Sequence, residues 1–373
     1  MRWVIAALLI VHGLIHGMGF AKAFGYASLP QLTQPISRGM GVVWLIAGLL
    51  VCASAVLLVA RPATGWIFGG IALVLSQAVI MSAWRDAWAG TLANVVLLVV
   101  VAYGFLTQGP WSFCAEFERN VAAGLSRPLA TPVVTESDIA GLPDAVQRYL
   151  RATGVVGRSR VQNYHLRFRG RIRSAPDAAW MPFVAEQQSF ADEPTRLFFM
   201  RARMFGLPVF VFHRLAHGHA TMRVKIAGAV PIVDASGDEM DRSEAVTLFN
   251  DMCLLAPGTL LDRHIVWEAV DARTVRARFT NGSQTVAATL HFSDDGLLTN
   301  FVSDDRSRSS PDGKVFTRLR FSTPVRDYRD FGGVRLAAHG EARWSLPEGE
   351  FTYGEFELMS ASYNVSAETR NRF

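Results

Sequence analysis

Four apolar stretches, each long enough to cross a bilayer as a helix, crowd the first 107 residues and decide what kind of chain this is: residues 3–21, 40–60, 65–84 and 90–106. A hydrocarbon core of roughly 30 Å takes about 20 helical residues, and within it each backbone N–H and C=O must find its partner inside the segment. The charges agree with this reading. Those 107 residues hold five basic groups (Arg2, Lys22, Arg38, Arg61, Arg85) and one acid, Asp86, leaving 32 basic and 31 acidic groups for the rest of the 373-residue chain. Breaks fall at Pro30, Pro35, Arg61-Pro62 and Arg85-Asp86, so short connections predict an up-down four-helix transmembrane bundle over residues 1–107. Basic residues are shared evenly between the two ends of the spans, and the positive-inside rule therefore selects neither orientation. The net charge of +5 sits almost wholly in this apolar part, which removes the clustered basic footprint that nucleic-acid binding needs.

Ionisable and amide side chains inside spans are costly, so each one is a candidate for function. His12 and His16, four residues apart, share one face of the first span, and Gly13 and Gly17 form a GxxxG stripe beside them. Gln77 and Asn94 add polar groups to the third and fourth spans. Two readings stand: hydrogen-bonding glue between helices, or contact with a quinone or metal in a membrane oxidoreductase-associated protein. A haem is excluded here because two histidines on one helix cannot take opposite faces of the same iron.

Residues 108–136, with Gly109-Pro110, Pro128 and Pro132, read as a linker, and residues 137–373 as a second domain of water-compatible composition. From about residue 161 to residue 363 the hydrophobic period is two, in runs such as 164–173, 183–190, 197–204, 286–292, 315–321, 334–344 and 351–363. Asn281-Gly282, Asp295-Gly296, Asp312-Gly313 and Gly332-Gly333 mark tight reversals, so the strands form an antiparallel meander. One helical insertion interrupts it at residues 241–255, where Val246, Phe249 and Cys253 recur at helical spacing. Roughly eleven strands with one apolar face and a single helix to cover it predict an α+β membrane protein: a transmembrane bundle followed by a curved antiparallel sheet or half-barrel with a helical lid.

The candidate ligand-binding residues follow from that shape. Arg167 and Arg169 belong to an alternating run, His165 to Arg173, that puts basic groups on one strand face; Arg201 and Arg203 share a face nearby. Such a surface is either a platform for anionic headgroups or an ordinary solvated sheet face. Glu186, Arg201, Arg203, Asp251, Glu268 and Tyr353 are polar groups that such a fold can bring together in an apolar cavity. His213, His217 and His219 cluster about Gly218, either as a metal-binding group or as a polar turn, and match no established ligand spacing. No nucleophile elbow, phosphate loop, dinucleotide fingerprint or HExxH helix occurs in the sequence, so no catalytic residue and no cofactor is named.

The residues also carry a resemblance. Leu142-Pro143, Arg148-Tyr149-Leu150, Gly154 to Gly157, Trp180 to Phe183, Ala185-Glu186-Gln187, Arg201 to Met204, and the ending Trp344, Phe351 to Tyr353 and Tyr363-Asn364 resemble the bacterial β-rich DUF6544 family over nearly all of residues 137–364. More loosely, the bundle resembles the four-span DoxX-like group, with His12 to His16 typical of bundles fused to this domain. The resemblance implies a lipoprotein-carrier-like half-barrel that holds a membrane lipid or hydrophobic small molecule beside the bilayer. Singly anchored relatives imply a site outside the cytoplasm, on the bacterial inner membrane. The competing readings are the quinone or metal protein above and a protein-interaction module.

Overall fold

The computed structural model describes residues 2–129 and 131–370; residues 371–373 of the second domain lie outside the described residues. The chain divides into two compact units, residues 1–115 and 116–373.

In the first unit the elements are α1 (Arg2–Ala23), α2 (Arg38–Ala60), α3 (Pro62–Ser82), the one-turn α4 (Trp84–Ala87) and α5 (Gly90–Gln108). Among the described residues, four helices are long and apolar enough to cross a membrane, as the sequence predicted. Ser37 caps α2 by accepting from the Met40 amide, and Pro62 opens α3, where its missing N–H costs nothing. Close approach of α1 and α2 rests on glycine. A Cβ on Gly48 would lie 2.5 Å from the Gly13 carbonyl oxygen, and one on Gly19 would enter the Trp44 ring. Gly17, by contrast, faces open space. The packing stripe therefore runs through Gly13, His16 and Gly19 at three-residue spacing, not through Gly13 and Gly17. Gly48→Ala is expected to cost about 1–3 kcal/mol, because a backbone oxygen cannot yield unless the helices part, while Gly17→Ala is neutral. Melting both variants in one detergent checks this, and equal melting would refute the glycine contact.

The second unit is built on a single sheet of 13 antiparallel strands. Helix α6 (Phe113–Leu125) straddles the boundary between the units, and α7 (Glu136–Ile139) and α8 (Asp144–Ala152) precede the sheet. The chain then enters the middle of the sheet and winds outward through β1 (Asn163–Ile172), β2 (Met181–Phe190), β3 (Thr195–Met204), β4 (Leu207–Ala216), β5 (His219–Ile226) and β6 (Val230–Ser236). Helix α9 (Asp238–Leu255) carries it to the opposite edge. It returns through β7 (Ile265–Ala269), β8 (Thr274–Asn281), β9 (Gln284–Phe292), β10 (Leu298–Ser303), the separate hairpin of β11 (Ser307–Ser309) and β12 (Phe316–Arg318), then β13 (Phe321–Phe331), β14 (Val334–Leu346) and β15 (Gly349–Tyr363). β15 pairs with β1, and the short α10 (Ala367–Arg370) follows. Strands β6 and β7 stay unpaired with each other, so the curved sheet is an open half-barrel.

Three expectations change. Residues 315–321, expected as one strand, split into β12 and the start of β13, with Leu319 and Arg320 outside both. Strand β4 was missed because its run Val209-Phe210-Val211-Phe212 is buried on both faces and shows no alternation. The stretch read as linker contains α6, whose Phe117 stacks on Phe199 and meets Phe212 edge-on on the outer face of the sheet, with centroids 5.9 and 6.2 Å away. The predicted reversals hold: Gly282, Gly296, Gly313 and Gly332 all have positive φ.

Candidate functional site

A cavity of about 390 Å³ lies between the inner face of the sheet and α9. Its existence follows from side-chain size along β14. Ala338, Gly340 and Ala342 point inward where neighbouring strands present Phe168, Phe198, Met200, Phe356 and Leu358. A Cβ added at Gly340 would meet only Val325 Cγ1, at 3.3 Å. Two bulges bend the central strand: the pairing of β15 skips Tyr353 opposite β14 and Met359 opposite β1. An extra residue reverses the side-chain parity of a strand, which is what turns Phe351 and Tyr353 inward alongside Phe356 and Leu358. Helix α9 closes the concavity and is itself core, with Val246, Phe249 and Cys253 fully buried on its other side. Tyr149 of α8 pins it by donating to the Cys253 carbonyl at 2.7 Å.

One wall of the cavity is charged. Glu244 and Asp251 sit seven residues apart on α9 and so share a face, aimed at Arg196 of β3. The Arg196 guanidinium donates to Asp251 Oδ2 at 2.6 Å, to Glu244 Oε2 at 3.2 Å and to Gln187 Oε1 at 3.3 Å. Gln187 donates in turn to Asp251 at 2.8 Å, and His213 Nδ1 meets Glu244 Oε1 at 3.0 Å. The side chains of Arg196 and Glu244 are only 8% and 2% exposed. Burial pushes the Glu244 carboxyl up, yet the neighbouring His213 and Arg196 charges overcome it and hold the group at about 2. The same carboxylates hold the buried Arg196 firmly protonated.

The structure brings some predicted residues to this cavity and sets others apart. Asp251 and Tyr353 line it. Arg167, Arg169, Arg201 and Arg203 do not, because alternation along β1 and β3 puts them on the outer face, exposed, while Phe168, Phe198 and Met200 point in. Arg169 there pairs with Glu357 at 2.5 Å. Glu186 shares that outer face, 2.8 Å from His165 and 3.0 Å from Arg370. Burial raises its carboxyl, but the His165 hydrogen bond and the Arg370 charge bring it down to about 2. Glu268 is exposed on β7, the edge strand. The three histidines also separate: His213 enters the cavity wall, while His219, 84% exposed, meets Asp241. Sequence reasoning missed Arg196 and Glu244. The available signal was an arginine directly preceding the apolar run Leu197-Phe198-Phe199-Met200 of a core strand, which burial permits only with a counter-charge.

In the first unit, the four predicted polar residues form one network. His12 Nε2 is 3.1 Å from Asn94 Oδ1 and 3.3 Å from Ser76 Oγ, and His16 Nε2 is 2.8 Å from Ser76 Oγ. Asn94 donates to Gln77 Oε1 at 3.0 Å, and Gln77 donates to Thr91 Oγ1 at 3.3 Å. The histidine rings touch, with centroids 4.8 Å apart.

Among solved structures the chain is similar to a DUF1329 family protein from Desulfovibrio piger, with 12% identity and a TM-score of 0.35 over 63% of this chain and 95% of that one. It is also similar to a Vibrio parahaemolyticus domain assigned by name to outer membrane lipoprotein sorting, with 7% identity and a TM-score of 0.34 over 57% of this chain and 90% of that one. No curated protein matches the chain. Residues 132–356, which hold all of the sheet but the end of β15, match the profile of a family of unknown function, and the chain belongs to that family, DUF6544.

Proposed function

We propose that the β domain binds a lipid or other hydrophobic ligand in the cavity beneath α9, beside the membrane that the four apolar helices span. The observation that carries this is a partly open cavity of about 390 Å³, lined mainly by aliphatic and aromatic side chains together with fixed polar groups. That volume is within the roughly 300–1,000 Å³ of small-molecule sites, and that composition is their usual anatomy. A domain whose interior served only stability would fill such a space, since interiors pack to crystal-like density. Native mass spectrometry of the full chain after gentle detergent extraction is expected to show a co-purifying amphiphile. A uniformly ligand-free protein would overturn the reading.

For the bundle, the geometry favours interhelical glue over a quinone or metal contact, since both Nε2 atoms are already engaged by Ser76 and Asn94. The DoxX-like likeness belongs to the same proposal, with the bundle as anchor. The depth of the cavity also favours ligand binding over a protein-interaction module. We place the chain in the bacterial inner membrane with the β domain outside the cytoplasm. In that arrangement a cysteine put in place of Asp294, whose side chain is 89% exposed, reacts with a membrane-impermeant maleimide in intact cells. Labelling only after lysis would put the domain inside.

A further inference from the structure

We infer that the ligand is an anionic amphiphile whose oxyanion head, a phosphate or carboxylate, is held by Arg173, Arg306 and Arg308 while its tail fills the cavity. This rests on the cavity-binding function proposed above and names the class of ligand.

All three arginines line the cavity. Arg173 directly follows β1, Arg306 lies between β10 and β11 and Arg308 lies in β11, so the register of the sheet gathers them at one end of it. Among the described residues, none has a carboxylate within ion-pair distance, although most neighbouring arginines do: Arg169, Arg171, Arg196, Arg320 and Arg343 all pair with acids. What holds the three in place is neutral. Arg306 lies 4.2 Å from the Phe321 ring centroid and 5.2 Å from that of Trp344, and donates to the Tyr353 hydroxyl at 2.6 Å. Its Nε is buried without a hydrogen-bond partner. Arg308 donates to the Ser174 carbonyl at 3.0 Å and lies 5.5 Å from the Phe351 ring. Arg173 donates to the carbonyls of Thr352 and Pro176 and lies 4.4 Å from the Trp180 ring.

Each guanidinium carries five N–H donors, so one or two bonds to neutral oxygens leave most of them uncommitted. Arg173, Arg306 and Arg308 are half-buried. Aromatic faces and carbonyls fix the direction of a guanidinium but supply no full negative charge, and a partly desolvated cation is stabilised by one. The charge of Glu244 reaches Arg306 and that of Glu355 reaches Arg173, but both carboxylates are already taken, Glu244 by Arg196 and His213 and Glu355 by Arg171. The missing partner must therefore come from outside the chain. Planar guanidinium groups recognise phosphate and carboxylate in a bidentate manner. The Ser309 hydroxyl lines the same wall and adds a neutral donor. Beyond the arginines lies the apolar space floored by Ala338, Gly340 and Ala342, so a ligand that meets both surfaces has a charged head and an apolar tail.

The test titrates the full chain in phosphatidylcholine nanodiscs with octyl phosphate, octanol and inorganic phosphate by calorimetry, subtracting empty nanodiscs. Octyl phosphate is expected to bind at least about ten-fold more tightly than octanol, and inorganic phosphate far more weakly than either. Arg306→Met with Arg308→Met should erase the preference while keeping octanol binding. Equal binding of octyl phosphate and octanol would overturn the headgroup assignment and leave the apolar cavity standing. Binding of neither alkyl compound would overturn both the assignment and the proposed function. Inorganic phosphate binding as tightly as octyl phosphate would replace the amphiphile with a free-anion site, and a preference unchanged in the double variant would move the head elsewhere. Should the double variant fail to fold, the comparison of ligands on the unaltered chain still decides.

Discussion

Replacing Arg196 with methionine will unfold the β domain at a markedly lower temperature, by about 6–20 °C. The estimate follows from what is left behind. Arg196 is the cation shared by Glu244 and Asp251, and all three are buried. Removing one partner of a buried ion pair typically costs about 3–5 kcal/mol, since the remaining charges keep their desolvation cost and lose its compensation, and each kcal/mol shifts a domain of this size by roughly 2–4 °C. The triple variant Arg196→Met, Glu244→Met and Asp251→Leu should recover most of the loss. Melting of the full chain in detergent, followed by near-ultraviolet circular dichroism, measures both. A single variant within about 2 °C of the unaltered chain would show that the network contributes nothing.

Acid supplies a second arm of that prediction. Glu244 is held at about 2 in the folded chain against 4.5 in its absence. A group depressed by folding gives stability that is fully present above the unfolded value and is lost as pH falls through the folded one, so its contribution drains between about pH 4.5 and 2. Glu186 loses its contribution over the same window. The gap between the unaltered chain and Arg196→Met should therefore narrow below about pH 4, where the stranded Glu244 carboxylate takes up a proton. A gap constant down to about pH 2 would contradict the assignment of charge.

Gly340→Phe will empty the cavity of its ligand without unfolding the domain. Gly340 has an ordinary strand conformation and only the tip of Val325 in its way, so a side chain grown there enters open space. Filling a void adds contacts, and replacing glycine in a strand removes chain entropy from the unfolded state, so the melting temperature should hold or rise. Ligand occupancy in native mass spectra is expected to fall at least about ten-fold. Arg169→Ala, on the outer face, should leave occupancy unchanged. Full occupancy in Gly340→Phe would mean that the co-purifying molecule sits elsewhere.

How much of this was legible in the sequence depends on whether one face of an element meets water. Strands with an exposed face, such as β8 with its alternating Val275, Ala277 and Phe279 buried and Arg276 and Arg278 exposed, announce themselves. β4 and α9 are covered on both sides, and period alone cannot separate a buried strand from a buried helix. For α9 the flanking Pro257-Gly258 and the length decided the matter; for β4 nothing did. The site was legible only in part for a related reason. Asp251 and Tyr353 were found because an acid on a core-facing helix and a tyrosine in a strand stand out, whereas the arginine platform was placed on the wrong side of the sheet for the cavity. A sequence shows that alternate residues share a face, but which face is concave depends on bulges at Tyr353 and Met359 that no local pattern marks.

The pairing of Tyr164 with Tyr363 joins the first strand of the sheet to the last. During synthesis β1 can gain β2 as soon as it emerges, but its other neighbour, β15, follows only after all the other strands of the sheet. The two halves of the meander must each wait as incomplete ribbons with raw edges, and closing them spans a loop of nearly the whole domain, which is slow. Nascent chains stalled before β15 are consequently the species that holdase chaperones and proteases will meet, and deletion of a few residues within β15 should cost the cell more protein than deletion of the same number from any surface turn.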